Sequence, residues 1–267
     1  MTAADAQIRF DDGARYERYM GIWSRLVGDR FLDWLAPAPG LDWLDVGCGN
    51  GAFTQTLIAR CAPAQVYGLD PSVPQVAHAR ARLAGDAAHL LAGDAMALPF
   101  PPASVDALVM PLVIFFVPDP ERGVAEMVRV GRPGALVSAY AWDLPGGGFP
   151  YHALQARLRA RGVVLPAPPS PDASRVEVLQ ALWAGVGLCE VRTHSIEVRR
   201  TFADFDDYWQ TVLEAPSIGP QLARWQPAQV AQFAAEVRAE LPVDGANGAI
   251  TVGARAHAVA GRVPGGR

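Results

Sequence analysis

Residues 41–51, reading Leu-Asp-Trp-Leu-Asp-Val-Gly-Cys-Gly-Asn-Gly, constrain this chain more than any other stretch. An apolar run with Asp45 near its end turns through Gly47, Gly49 and Gly51, and enters a helical pattern at Ala52. The pattern predicts a buried strand, a tight loop and a helix start. Glycines alternate where the backbone must take positive φ or lie against a ligand that a Cβ would obstruct. In an open α/β sheet, such a loop at the carboxyl end of a strand is where nucleotide-like ligands sit.

The same strand-then-helix alternation continues downstream. Residues 64–69 read as a second strand stopping at Asp70, and Ser72 with Gln75 has capping-box spacing for the next helix. Residues 88–91 are a short strand before Gly93-Asp94, and 105–110 are a nearly unbroken apolar strand of the type covered on both faces. Asp119 caps a helix with Pro120 at its first position, Arg132-Pro133-Gly134 closes it, and 135–141 is a fifth strand. The expected fold class is α/β, a doubly wound and mostly parallel sheet with helices on both faces. Asp45, Asp70, Asp94, Pro111 and Asp143 then fall at or just after strand ends, on the ligand-binding edge.

The flanks differ. From residue 13 to 35, Tyr16, Tyr19, Met20, Trp23, Val27, Phe31 and Leu35 recur at helical spacing. Beyond Trp142, Gly146-Gly147-Gly148 and the prolines of 166–171 read as connectors around a helix near 152–161. Ser174 and Glu177 have capping-box spacing for another helix. A strand over 191–202, helices over 203–210 and 227–241, and a last strand over 249–260 complete the chain. The organisation expected is a helical flap (1–40), a ligand-binding core (41–145), a flexible cap segment (146–173), and a C-terminal part of the sheet (174–267) with a helical insertion (203–246).

Composition removes several classes. With 267 residues, 51% hydrophobic, the chain can bury one large α/β core. Its longest apolar run, 107–117, is broken by Pro111 and falls short of the ~20 residues a membrane span needs. No signal-peptide pattern opens it. Cys48, Cys61 and Cys189 are far apart, so a reduced, cytoplasmic setting is expected. All 23 basic residues are arginine, which excludes Schiff-base lysine chemistry. A net charge of -4 without a basic run makes nucleic acid an unexpected partner. No metal-ligand cluster stands out, and the oligomeric state is not legible.

Three ligands compete for the glycine loop. A P-loop mononucleotide needs a lysine. A dinucleotide is compatible with Gly47, Gly49 and Ala52 as a loose G-x-G-x-x-A, with Asp70 for the ribose, and leaves an NAD-dependent oxidoreductase open. S-adenosylmethionine is favoured by Asp45, because a carboxylate beside the loop opposes a pyrophosphate and suits an ammonium group. Asp70 is then placed for the ribose hydroxyls, and Asp94 for the adenine amino group beside Ala95, Met96 and Leu98. Asp70 before Pro71 and Asp94 after Gly93 also suit turn residues, and Cys48 suits the loop by its size.

The chain resembles the class I S-adenosylmethionine-dependent methyltransferases, in particular the small-molecule group that includes the ubiquinone/menaquinone C-methyltransferases. The resemblance rests on Leu44-Asp45-Val46-Gly47-Cys48-Gly49-Asn50-Gly51, Gly68-Leu69-Asp70-Pro71-Ser72, the run Gly93 to Phe100, Phe116-Val117-Pro118-Asp119-Pro120 and Arg132-Pro133-Gly134. It covers residues 41–141; the segments 16–23 and 205–209 are similar to an uncharacterised bacterial branch. Ala135, where the family often has glycine, is a departure confined to a turn. The resemblance implies a Rossmann-like seven-stranded sheet with an antiparallel last strand. It also implies cofactor contacts at Asp45 to Gly51, Asp70, Asp94-Ala95 and Met110-Pro111. With neighbouring residues, the expected cofactor set is Tyr16, Tyr19, Asp45, Gly47, Cys48, Gly49, Asn50, Gly51, Asp70, Pro71, Gln75, Asp94, Ala95, Met96, Met110 and Pro111.

A sulfonium methyl is already activated, so the protein's task is alignment and exclusion of water. A base is required only if the acceptor must lose a proton, and His152 and Tyr19 are the candidates. The substrate-facing set expected is Tyr19, Met20, Trp142, His152, Tyr208 and Trp209, under a roof formed by 146–171 and 203–246. Its aromatic content points to a small apolar or aromatic acceptor, with S-adenosylhomocysteine as the other product. A module that keeps the cofactor site without turnover is the non-enzyme alternative.

Overall fold

Strand β1 (Asp42–Val46) takes the centre of the sheet because both of its faces are apolar; Trp43, Leu44, Asp45 and Val46 are all buried. The computed structural model describes residues 17–86, 88–244 and 248–265. β1 pairs in parallel with β2 (Gln65–Asp70) and β4 (Val105–Pro111). β3 (Ala88–Ala92) lies outside β2, and β5 (Gly131–Trp142) outside β4, again in parallel. β8 (Ala249–Arg262) inserts antiparallel between β5 and β6 (Cys189–Phe202), giving the order β3-β2-β1-β4-β5-β8-β6. The seven strands and the antiparallel last one agree with expectation; β7 (Val243–Asp244), a two-residue addition, pairs with β8.

The strand order reverses at β1 and β4, and that reversal places the site. The connection from β1 through α2 (Ala52–Cys61) moves one way along the sheet; the connection from β4 through α4 (Pro120–Val130) moves the other. Right-handed crossovers in opposite directions put their helices on opposite faces and leave a crevice between them. α1 (Ile22–Leu35) packs with α2 and β6, whereas α6 (Val176–Gly185) packs with α4 and β8. The Trp183 indole of α6 donates to the Val137 carbonyl of β5 at 2.9 Å. At the opposite edge, Arg132 bridges Asp42 and Asp106 and so stitches the amino ends of β1, β4 and β5.

Local chemistry sets the remaining elements. Ser72 and Asp119 cap α3 (Val73–Arg82) and α4 by accepting from the Gln75 and Arg122 amides. Ser174 does not cap α6: its hydroxyl donates to the Pro171 carbonyl and accepts from the Leu144 amide, and the helix starts after Arg175 without a side-chain cap. The expected box is lost because Ser174 lies in a 3-10 turn, Pro171–Ser174, one residue too early. Residues Glu17–Gly21 form a π-type turn ahead of α1. Between β6 and β8 run α7 (Phe205–Leu213), capped by Asp204, then α8 (Gly219–Leu222) and α9 (Pro227–Glu240). Among the described residues no helix is long and apolar enough to cross a membrane.

The turn from β5 to α5 (His152–Ala160) is held by Asp143. Its carboxylate accepts from Arg255 at 2.6 and 3.0 Å and from the Gly146 amide at 2.9 Å, with the His257 ring at 3.4 Å. Gly148 is required there, since a Cβ would lie 2.5 Å from the Arg255 carbonyl. Burial pushes the Asp143 carboxyl up, but Arg255, the Gly146 amide and His257 outweigh it and hold it below the usual range. A depressed carboxyl stabilises the fold above its ordinary pKa and loses that contribution as pH falls through the lowered value. Asp143→Asn is expected to cost ~1–3 kcal/mol at pH 7. Urea denaturation should show the gap from wild type closing below pH ~4; a gap that does not narrow contradicts the assignment.

Candidate functional site

The glycine loop is shaped by its own backbone and pinned by β2. Gly47, Gly49 and Gly51 take φ of 81°, 53° and 80°. The Gly47 and Cys48 amides donate to the Leu69 carbonyl at 2.7 and 2.9 Å. The Asp70 carboxylate accepts from the Gly49 amide at 3.0 Å and from the Ser72 amide at 2.8 Å, so one side chain joins the loops after β1 and β2. Gly47 also yields to packing, because a Cβ would lie 2.4 Å from Val113. At Gly49 nothing lies within 4 Å of that position, so the backbone there opens onto free space.

That space is a cavity of about 940 Å³ beyond the carboxyl ends of β1, β2 and β4. Its loop side is Gly47 to Asn50 with Asp70, Pro71 and Gln75. Leu112 and Val113 border it after β4, and Leu112 holds a left-handed φ of 59° while its amide bonds the Tyr140 carbonyl. A non-glycine residue in that region costs on the order of 1–3 kcal/mol and marks a position fixed by its surroundings. Tyr19, Met20, Phe115, Trp142 and Phe149 close the far side.

Most of the expected cofactor residues come together on this wall: Tyr19, Gly47, Cys48, Gly49, Asn50, Asp70, Pro71, Gln75 and Pro111. Tyr16 lies outside the described residues. Gly51 is turned away under Ala79 and Leu83. Met110 is fully buried behind Pro111. Asp94, Ala95 and Met96 are off the wall; the Asp94 carboxylate accepts from the Met96 amide at 2.8 Å, the turn chemistry of an aspartate after glycine. Of the expected substrate residues, Tyr19, Met20, Trp142 and His152 line the cavity, and Tyr208 and Trp209 do not. Tyr208 packs edge-on against Phe202 and Trp209 stacks on Phe205, because α7 turns its aromatic stripe into the core.

Asp45 lies behind the loop rather than on the wall. It is fully buried; Thr54 donates to Oδ2 at 2.7 Å, and Oδ1 has no partner. Burial pushes its carboxyl up to about 7, against the Thr54 bond and with a further push from Asp70. Asn50, on the wall, also keeps a buried and unpartnered Nδ2. The phenol of Tyr19 stacks on Tyr151 at 4.8 Å, and burial followed by that neighbour raises its pKa well above the ordinary value. Wall residues that sequence reasoning missed include Leu112, Val113 and Phe115 after β4, and Gln155 and Arg159 on α5. For the last two a signal existed, since they follow His152 at helical spacing.

Residues 44–139 match a family described as a methyltransferase domain. Malonyl-[acyl-carrier protein] O-methyltransferase of Serratia marcescens is 34% identical over 113 residues, 42% of this chain and 43% of that protein. The ubiquinone/menaquinone biosynthesis C-methyltransferase of a Ruegeria strain is 31% identical over 130 residues, 47% of this chain and 52% of that protein. The matches thus span about half the length of these curated relatives. Among solved structures, phosphoethanolamine N-methyltransferase 2 of Haemonchus contortus, in complex with S-adenosyl-L-methionine, superposes with TM-score 0.58 at 18% identity, covering 96% of this chain and 57% of that one. The YcgJ protein of Bacillus subtilis gives 0.55 at 15%, covering 94% and 100%. This chain shares the fold of these solved structures. The matched stretch runs from β1 into β5 and contains the glycine loop and Asp70.

Two outcomes test the loop. Because the Asp45 carboxyl is raised, the folded state binds its proton more tightly than the unfolded state, and stability falls as pH climbs from about 4 to about 7. Asp45→Asn removes that fall, so the variant should gain on wild type by roughly 3–4 kcal/mol between pH 4 and 8. A difference independent of pH contradicts the buried acid. Gly47→Ala, which forces both the left-handed φ and the Val113 contact, should lower stability by ~1–3 kcal/mol in urea denaturation; an unchanged midpoint contradicts the close approach.

Proposed function

We propose that this chain is a methyltransferase that moves a methyl group from S-adenosylmethionine to a small molecule. The observation that carries the reading is the glycine loop, pinned by Asp70, forming one wall of a roughly 940 Å³ cavity whose other wall is aromatic. The residues present fit the cofactor. Gly49 leaves open space where a Cβ would stand, and Asn50, on the wall, has a buried Nδ2 without a partner.

The backbone of Gly47 to Asn50, with Asp70 and Gln75, would hold the nucleoside and amino-acid parts. When bound, S-adenosylmethionine supplies a sulfonium-activated methyl group. The chain's own residues orient the acceptor and exclude water, using Tyr19, Met20, Phe115, Trp142 and Phe149. Tyr19 and Tyr151 stay protonated, since burial raises both, Tyr151 to about 12. His152, the imidazole on the wall, is therefore the residue assigned to take a proton from acceptors that must lose one. The free thiols Cys48, Cys61 and Cys189 support a cytoplasmic setting, and the mild net negative charge supports a small molecule over nucleic acid. The methyltransferase-domain match weighs against the NAD-dependent reading.

Isothermal titration with S-adenosylmethionine and S-adenosylhomocysteine should show one site. Asp70→Ala, which releases both loop amides, should weaken it at least ~10-fold, as expected for losing two charge-assisted hydrogen bonds. Absence of binding, or equal affinity in the variant, sinks the proposal.

A further inference from the structure

Arg157 and Arg159 of α5 and Arg161 at its C-cap have different surroundings. Arg157 pairs with Glu240 and Arg161 with Glu236, both on α9. Arg159, between them, lines the cavity, and no carboxylate pairs with it among the described residues. Among the described residues its one side-chain hydrogen bond runs from Nη2 to Gln155 Oε1 at 3.4 Å. His152, Gln155 and Arg159 stand at i, i+3 and i+7, one face of a helix, and all three line the cavity. Leu154 and Leu158, on the other side of α5, are sealed in the core, so the helix cannot rotate this face away.

The rest of the wall has its charge accounted for. Asp70 accepts from two backbone amides, and Asp172 from Arg175 at 2.9 Å. Arg159 is a cation of the wall with which no carboxylate pairs among the described residues. The same cavity is lined by Leu144, Phe149, Pro166, Pro168 and Pro169. Arg159 is exposed, and a guanidinium presents a rigid fork of N–H donors that matches an oxyanion two bonds at a time.

We propose that Arg159, flanked by Gln155 and His152, is the anchor for an anionic oxygen group on the methyl acceptor. The acceptor is a small apolar or aromatic acid, its anion on α5 and its body against the aromatic wall. The inference rests on the methyltransferase reading and narrows its acceptor to an anion.

The test uses the full chain saturated with S-adenosylhomocysteine and titrates it with 3-phenylpropionate, phenyl phosphate and 3-phenyl-1-propanol. At least one of the two anions should bind about tenfold or more tighter than the alcohol, the discrimination expected of a paired guanidinium. Whichever is preferred identifies a carboxylate or a phosphate. Arg159→Gln should erase the preference and leave the affinity for S-adenosylhomocysteine unchanged. Arg161→Gln, at the C-cap of the same helix but off the cavity wall, should keep both. Equal affinity for anions and alcohol, no binding of either anion, or a preference that survives Arg159→Gln overturns the anchor while cofactor binding stands. Failure of S-adenosylhomocysteine to bind the wild type overturns the methyltransferase reading, and the anchor with it.

Discussion

The site depends on two hydrogen bonds to one carboxylate. Asp70 accepts the Gly49 amide from the loop after β1 and the Ser72 amide from the loop after β2. Parallel neighbours bring those loops side by side, but their backbones carry amides that need an acceptor once they turn away from the sheet. The carboxylate supplies it for both. It thereby fixes the spacing between the glycine loop and the start of α3, where Gln75 also faces the cavity. Burial raises the Asp70 pKa while the two amides lower it, the balance expected of a charge held by backbone donors.

The reversal of strand order then converts this corner into a cavity. Leu112, in its left-handed turn, and Val113 come from the strand on the other side of β1, and Val113 fills the position that a side chain at Gly47 would need. The roof is fixed from elsewhere. Asp143 ties the turn before α5 to Arg255 of β8, and Ser174 bonds the Leu144 amide from the far connector. The face of α5 that carries His152, Gln155 and Arg159 is thus aimed by the antiparallel last strand, a part of the sheet remote in sequence from the loop it faces.

Much of the fold was legible because its signals are local. Asp119 before Pro120 is a cap wherever it occurs, and the unbroken apolar run of β4 is the mark of a strand covered on both faces. The Ser174 capping box failed for a reason sequence does not carry: the hydroxyl found other partners, the Pro171 carbonyl and the Leu144 amide. In the site, the glycines and Asp70 could be placed because each follows a strand end. Tyr208 and Trp209 could not, since an aromatic stripe at helical spacing looks the same whether it faces a cavity or a core. Asp94 was ambiguous in the same way, and its carboxylate serves its own turn.

What the sequence determined by itself is the backbone that meets the ligand: three glycines after an apolar strand, an acid at the end of the next, and the alternation that makes the sheet parallel. These follow from sterics and periodicity within a few residues. What only the tertiary structure decided is which side chains face the cavity. Asp45 was withdrawn behind the loop by packing on both faces of β1, with Thr54 as its partner. Arg159 was left on the wall because its neighbours Arg157 and Arg161 found acids on a helix more than seventy residues away in sequence. Long-range pairing distributes charge, and no local pattern encodes it.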